Sequence, residues 1–263
     1  MGETTNISWT DSTFNPWWGC SRVSPGCDHC YAEMLDRRTG RDSWGPRKTP
    51  RILSEDNWRK PLRWQKNHVA FETEHGHRHR VFTGSMCDWT DKNAPADQRS
   101  RLWTLIRETP ALDWQLLTKR APNIKKCLPA DWGDGYQNVW LGVTVENREH
   151  GLPRIDVLRQ VPAKVRFLSI EPLLEALGEL NLNGINWVIV GGESGPNCRQ
   201  MELTWVESIR QQCEAQDVPF FYKQRGGHPN THDCLLAGIE VKQWPRRPRM
   251  VEPLASGRAR LSH

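Results

Sequence analysis

The sequence lacks any apolar run approaching the ~18 residues of a transmembrane helix, so no membrane span is expected. Its first residues, MGETTNISWT, show neither a basic n-region nor an apolar h-region. A secretory signal is therefore not expected, and the expected location is cytoplasmic, without membrane contact. No internal repeat is present, which removes solenoids and propellers. No G-x-G-x-x-G occurs, which argues against a dinucleotide-binding sheet. No second C-x2-C exists, which disfavours the usual structural zinc ribbon. Acidic residues are nearly missing from the C-terminus, where residues 245–263 hold five arginines against Glu252 alone. That stretch reads as a disordered basic extension suited to phosphate contact, or as a solubilising terminus.

What is there is a chain of 263 residues, room for one large domain or two small ones. Hydrophobic residues make up 37% and charged residues 25%, which places it among globular rather than disordered proteins. The net charge of +5 sits largely on the tail. Residues 37–66 form a second basic stretch, with ten Lys/Arg against Asp42, Glu55 and Asp56, interleaved with Trp44, Trp58 and Trp64. Either the tryptophans turn inward beneath a solvated helical face, or they stack on bases beside phosphate-pairing cations. The three alternating histidines of residues 74–80 read as a solvated loop.

Short runs rich in β-branched and aromatic residues recur at 81–84, 114–118, 139–145, 165–170, 187–191 and 218–223, their starts 22 to 33 residues apart. Near-continuous apolar runs suit strands buried on both faces, and the spacing leaves room for one crossover helix each. Between 97 and 108, Leu102, Leu105 and Ile106 share a helical face; between 205 and 216, Val206, Ile209 and Cys213 do, with a T-x-x-E capping box at Thr204 and Glu207. With a further strand at 13–17, about seven βα units imply an α/β fold, a partial or complete βα barrel. Residues 1–233 form that barrel, 234–244 a hairpin around Ala237-Gly238, and 245–263 the tail.

Almost every strand ends in a polar cluster: Gly84, Ser85, Cys87 and Asp88; Lys119 and Arg120; Thr144, Glu146 and Asn147; Glu171; Gly192, Glu193 and Ser194; Lys223 and Arg225. In βα barrels these ends converge on one mouth, where the site lies. Ser85, Asp88, Glu146, Asn147, Glu171 and Glu193 are accordingly expected to line one cavity with the cysteine loop. Lys119 and Arg120 suit a substrate anion such as a phosphate, and Cys87 a hydrogen-atom donor or an ordinary buried thiol.

Of eight cysteines, three cluster as Cys20-x6-Cys27-x2-Cys30. Three thiolates on one loop suit a [4Fe–4S] cluster with one open iron. The other reading is zinc, completed by His29 or Cys87. In the cluster reading the three sulfurs are expected to converge even without metal.

A three-cysteine loop after the first strand of a βα barrel resembles the radical S-adenosylmethionine (SAM) superfamily. The superfamily's usual C-x3-C-x2-C is here C-x6-C-x2-C, with His29 in place of its aromatic ring. The strings TFNPWWGCSRVSPGCDHCYAE, FTGSMCDWTD, QLLTKR, WLGVTVEN, FLSIEPLL, WVIVGGESGP and PFFYKQ, in that order over residues 8 to about 245, resemble a phage- and prophage-associated family of unknown function (gene products thirty-seven and sixty-eight). That family is similar in outline to radical SAM enzymes, including spore photoproduct lyase. The resemblance implies metal ligation by Cys20, Cys27 and Cys30, and reductive cleavage of SAM to abstract hydrogen from a nucleic-acid, nucleotide or related anionic substrate. It implies cofactor contacts from Gly84, Ser85, Asp88, Thr144, Glu146, Asn147, Gly192, Glu193 and Ser194, catalytic roles for Cys87, Lys119 and Glu171, and an electron donor such as a flavodoxin or ferredoxin. The alternative is a non-catalytic, metal-stabilised nucleic-acid-binding protein, holding zinc or an inert cluster.

Overall fold

A computed structural model describes residues 5–195, 197–227 and 234–245. The basic tail, from 246 onward, lies outside the described residues. Seven strands form one all-parallel sheet: β1 (Ser12–Phe14), β4 (Arg80–Thr83), β5 (Asp113–Thr118), β6 (Val139–Thr144), β7 (Val165–Ile170), β8 (Trp187–Gly191) and β9 (Phe220–Gln224). They lie side by side in chain order, and the sheet curls into a half-barrel. A two-stranded antiparallel ribbon, β2 (Trp17–Trp18) with β3 (Arg51–Ile52), stands apart. It closes the neck of a long excursion, residues 19–50, which carries the three clustered cysteines and helix α1 (Tyr31–Arg38).

The remaining helices are α2 (Glu55–Lys66), α3 (His68–His75), α4 (Ala96–Glu108), α5 (Ile124–Cys127), α6 (Arg148–Arg159) and α7 (Leu203–Ala215). None of the described helices is long and apolar enough to cross a membrane. The apolar stripes read from the sequence face the sheet. Leu102, Leu105 and Ile106 of α4 and Val206, Ile209 and Cys213 of α7 are buried in one cluster with Val81, Leu116, Leu141, Leu168 and Val188. Full burial of each such side chain is worth about 1.5–3 kcal/mol, so this outer layer carries much of the fold.

The concave face is filled differently. Trp9, Phe82, Trp140, Phe167, Trp187 and Phe221 form a separate cluster inside the curl, with Val165 and Ile189. Trp187 stands edge-on to Trp140 at 5.8 Å and to Phe221 at 6.1 Å. Gly142 makes room for Phe167: a Cβ there would lie 2.3 Å from its ring. This aromatic floor occupies the N-terminal half of the concave face. Toward the C-terminal edge the inward positions become small or polar, with Gly142, Thr144, Ser169 and Gly191.

Three expectations need correction. The T-x-x-E box does not cap α7: the helix begins at Leu203 with Glu202 as N-cap, and Glu207 pairs with Arg210 at 2.7 Å. Thr204 is thus already inside the first turn. The β7–β8 crossover holds no helix. It begins Glu171-Pro172 and carries Gly178 and Gly184 at φ +74° and +73°, so an extended segment buries Leu177, Leu180 and Leu182 instead. Glutamines of α7 satisfy its backbone, Gln212 accepting from the Leu180 amide at 2.6 Å and Gln216 from the Leu182 amide at 3.0 Å. Of the histidines of 74–80, His75 stays exposed and His77 partly so, but His79 is not solvated: it is buried, stacks on Phe71 at 4.1 Å and bonds Ser12 Oγ at 2.9 Å. In residues 37–66 the first of the two readings holds: Trp44, Trp58 and Trp64 turn inward, and their burial leaves no ring face for base stacking.

Around Ala237-Gly238, Leu236 and Ile239 exchange both backbone hydrogen bonds, with φ positive at the two turn residues. Both central residues at positive φ define the tight hairpin turn that matches strand twist. The chain then runs antiparallel to β9, Tyr222 N–H donating to Val241 at 2.8 Å and Gln243 N–H to Phe220 at 3.1 Å. The last sheet edge is thereby covered.

Candidate functional site

In a parallel sheet all C-terminal strand ends share one edge, and here the cysteine loop lies across it. Ser21 takes Asp91 through both its amide (2.9 Å) and its hydroxyl (2.8 Å). Ser24 Oγ donates to Glu146, after β6. Gly26 packs against the same side chain, where an added Cβ would be 3.1 Å from Glu146 Cγ. The Pro25 carbonyl accepts from Arg199 at 2.9 Å, and His29 Nδ1 meets Glu193, after β8, at 2.8 Å. Tyr31, directly after the third cysteine, donates its hydroxyl to the Ser85 carbonyl, after β4, at 2.7 Å. Gly19 pairs with Cys87 in a short parallel bridge.

Arg120, at the end of β5, is the most heavily engaged of these partners. Its guanidinium reaches Asp88 at 3.0 Å, Asp91 at 2.9 Å, Ser21 Oγ at 2.8 Å and Cys20 Sγ at 3.5 Å. Asp88 is in turn held by Thr118 Oγ1 at 2.8 Å and Thr90 Oγ1 at 2.9 Å. Arg120 was expected to meet an anion from outside, but its charge is already matched by two buried carboxylates. Lys119, its neighbour, has no ion pair among the described residues.

The cysteines sit half-buried beneath this lattice, and no disulfide joins Cys20, Cys27 or Cys30. Cys20 and Cys30 pack against one apolar cluster of Trp18, Ala32, Trp44 and Met86. Burial pushes the Cys20 thiol up, with Asp88 adding to it and Arg120 opposing. Burial likewise raises Cys30, against the field of Lys119 and with that of Cys27. Cys87 is buried and raised well above the usual thiol range, chiefly by burial and then by Cys20. Among the described residues no three His, Cys, Asp or Glu side chains stand together as a group able to hold a metal ion.

The other strand-end residues divide by what holds them. Glu146 is fully buried; burial would raise its pKa, but Arg154, Ser24 and Lys119 hold it below the usual carboxylate range. Glu193 shows the same balance: burial raises, while Arg199 and His29 prevail and lower it. Asn147 caps α6, its side-chain oxygen accepting the His150 amide at 2.9 Å. Thr144 is buried, its carbonyl accepting from Arg154 at 2.8 Å. Ser85 Oγ accepts from Asn15 at 2.8 Å, and Ser194 Oγ from Gln224. Gly84 sits at φ +99°. Gly192 lets β8 and β9 close up: a Cβ there would lie 1.9 Å from the Arg225 carbonyl oxygen. Glu171 pairs with Lys223 across the ends of β7 and β9.

Sequence reasoning missed Tyr31. Half its surface is exposed (51%), yet its phenol is pushed up, first by loss of solvation and then by Cys30, Glu171 and Cys87. The two facts meet in a concave mouth, where a side chain lines open space while protein surrounds it. Tyr31 thus marks where the cysteine loop, Cys87 and the Glu171–Lys223 pair face one another. Arg154 and Arg199 were also missed, because their pairing with Glu146 and Glu193, close by in the chain, follows no helical or strand period. A cavity of about 660 Å³ lies at the opposite end, beside Asn186, Asp217 and Trp244, away from these groups.

Fold and site together define a parallel α/β half-barrel whose three-cysteine loop is bound across its C-terminal mouth. The chain belongs to a family described as protein of unknown function (DUF5131), whose profile matches residues 4–258. No curated protein and no solved structure matches it.

Proposed function

We propose that the protein is a radical SAM enzyme that abstracts hydrogen from a nucleic-acid, nucleotide or related anionic substrate. In this reading Cys20, Cys27 and Cys30 hold a [4Fe–4S] cluster. The observation that carries it is the binding of the cysteine loop to the ends of β4, β5, β6 and β8, through Ser85, Arg120, Glu146 and Glu193. A loop needed only for affinity would not require attachment to the one edge where a barrel builds its chemistry. The phage association and the kinship to spore photoproduct lyase belong to the same reading.

The donor set fits the cluster. Three thiols lie on one loop, two against one apolar wall and with Arg120 and Lys119 beside Cys20 and Cys30. Positive charge there opposes, without reversing, the rise that burial gives the Cys20 and Cys30 thiols. A bound cluster with an open iron supplies one-electron reductive cleavage of SAM and hydrogen abstraction.

The chain's own residues position and enclose. Arg120 orients Cys20 and fixes the loop to β5. Glu146 and Glu193, kept ionised, anchor its middle and far end. Tyr31 roofs the mouth and restricts water. Glu171 and Lys223 give an ion pair able to orient a zwitterionic or hydroxyl-bearing ligand, and Gly84, Gly191 and Gly192 allow close approach of backbone. Asp88, Asn147 and Glu146, with their acceptor groups engaged, support these contacts rather than make them.

The test is anaerobic purification with cluster reconstitution. About four irons and four sulfides per chain are expected, with 5′-deoxyadenosine formed from SAM under dithionite. Stoichiometric zinc in protein made with ample iron overturns the reading. A bound cluster without SAM cleavage supports the non-catalytic alternative.

A further inference from the structure

The geometry points to a phosphate-ester subsite on the flank of the cysteine loop, with Lys119 as its cation. A cavity of about 440 Å³ opens there, lined by Val23, Lys119, Pro122, His150 and Pro153. It adjoins a second, of about 630 Å³, with which it shares Val23, Arg120 and Asn123. Three cations border the first cavity, and their states differ. Arg120 is matched by Asp88 and Asp91. Arg154 is matched by the fully buried Glu146. Lys119 is half-buried, and among the described residues its ammonium has no carboxylate in reach. Its field is nonetheless felt at both Cys30 and Glu146, which puts the charge between the cysteine loop and the end of β6.

A partly exposed ammonium with no ion pair leaves its charge available to an anion from solution. The nearest buried carboxylates are already committed to arginines. Lysine is a compact point charge suited to phosphate oxygens. The flank of α6, with Glu149, His150, Pro153, Arg154 and Val157, forms the facing wall. Glu149 also lines the cavity, but its side chain is 83% exposed and points its charge into water. Tyr31 is not among the residues that line this cavity. A phosphate seated on Lys119 would leave an attached sugar or base free to reach over the loop toward Cys30. The assignment deepens the reading above by naming the anion's chemistry and place, but its test needs no cluster turnover.

The test measures binding of thymidine 5′-monophosphate, thymidine and a dT10 oligonucleotide to the full chain by calorimetry. The monophosphate should bind and thymidine should not. Lys119→Gln should weaken the monophosphate roughly tenfold to a hundredfold, while Lys119→Arg retains binding and Lys164→Gln, an exposed lysine leading into β7, changes nothing. Should dT10 bind more tightly, with the same dependence on Lys119, the source is a nucleic-acid backbone; equal affinity marks a nucleotide. A second readout uses unmodified protein: the monophosphate, and not thymidine, should slow labelling of Lys119 by an amine-reactive reagent. Equal binding of thymidine and its phosphate, wild-type affinity in Lys119→Gln, or labelling of Lys119 indifferent to the phosphate would each overturn the assignment. Loss of SAM cleavage alone would bear only on the cluster.

Discussion

The two ends of the half-barrel are built on opposite principles. The N-terminal floor is dry and aromatic, with Trp9, Phe82, Trp140, Phe167, Trp187 and Phe221 interlocked. The C-terminal mouth is held by ion pairs and hydrogen bonds, each joining the cysteine loop to a different strand. Dispersion and burial, being non-directional, make the floor stable without fixing any atom for chemistry. Directional pairs contribute less net stability but fix position and charge, which a site requires. The molecule thus separates where it is stable from where it can act.

The comparison breaks most readily at the floor. Trp187→Ala should cost about 3–5 kcal/mol, because a fully buried indole leaves a cavity between Trp140 and Phe221. Urea unfolding would measure it, and a loss under about 1 kcal/mol would mean the floor is not the stabilising end. Glu146→Gln tests whether the mouth is exempt. It removes the charge facing Arg154 inside the protein, so a loss of about 3 kcal/mol is expected. The loop should also loosen, read as faster alkylation of Cys27 in the folded protein. An unchanged alkylation rate would detach Glu146 from the loop's order.

The two ends should also differ in pH response. Burial, opposed by the nearby Asp11 charge, leaves the pKa of His79 at about 4, against 6.5 for the free side chain. Between those values the unfolded chain binds the proton and the folded one does not. Stability should therefore fall as pH drops from about 6.5 toward 4 and level off below, by at most about 3 kcal/mol. His79→Gln should flatten that slope. Glu146 and Glu193 are depressed, so the stability they give is present above about pH 4.5 and is lost only as pH falls further through their folded pKa values. A slope between pH 6.5 and 4.5 that survives His79→Gln would refute the separation. The smallest effect on stability is expected from Cys27→Ser in metal-free protein, within about 0.5 kcal/mol by thermal melting. The same variant should lose iron after reconstitution, and retention of full iron would remove Cys27 from the ligand set.

Much of the scaffold was legible because strand burial leaves a local signature. Runs such as 139–145 and 187–191 are apolar on consecutive positions only if both faces are covered, and each became a strand of the parallel sheet. The β7–β8 crossover was not legible, since its stability comes from Gln212 and Gln216 of a helix some thirty positions on. The burial of His79 was not legible for a related reason: polarity alone does not reveal that Phe71 and Ser12 wait to receive it.

For the site, the sequence by itself determined the inventory. It set three closely spaced thiols, the polar residue after each apolar strand, and the order of the βα units, because covalent spacing and burial periodicity are local properties of the chain. Only the tertiary structure decided which charges remain available. Arg120 and Lys119 are adjacent in sequence and alike in charge, yet one is matched by Asp88 and Asp91 and the other faces a cavity without an ion pair among the described residues. Tyr31 likewise acquires its place in the mouth from Ser85, Glu171 and Cys87, on three other segments. Electrostatic pairing depends on distance in space, and folding sets those distances between residues that the chain holds far apart.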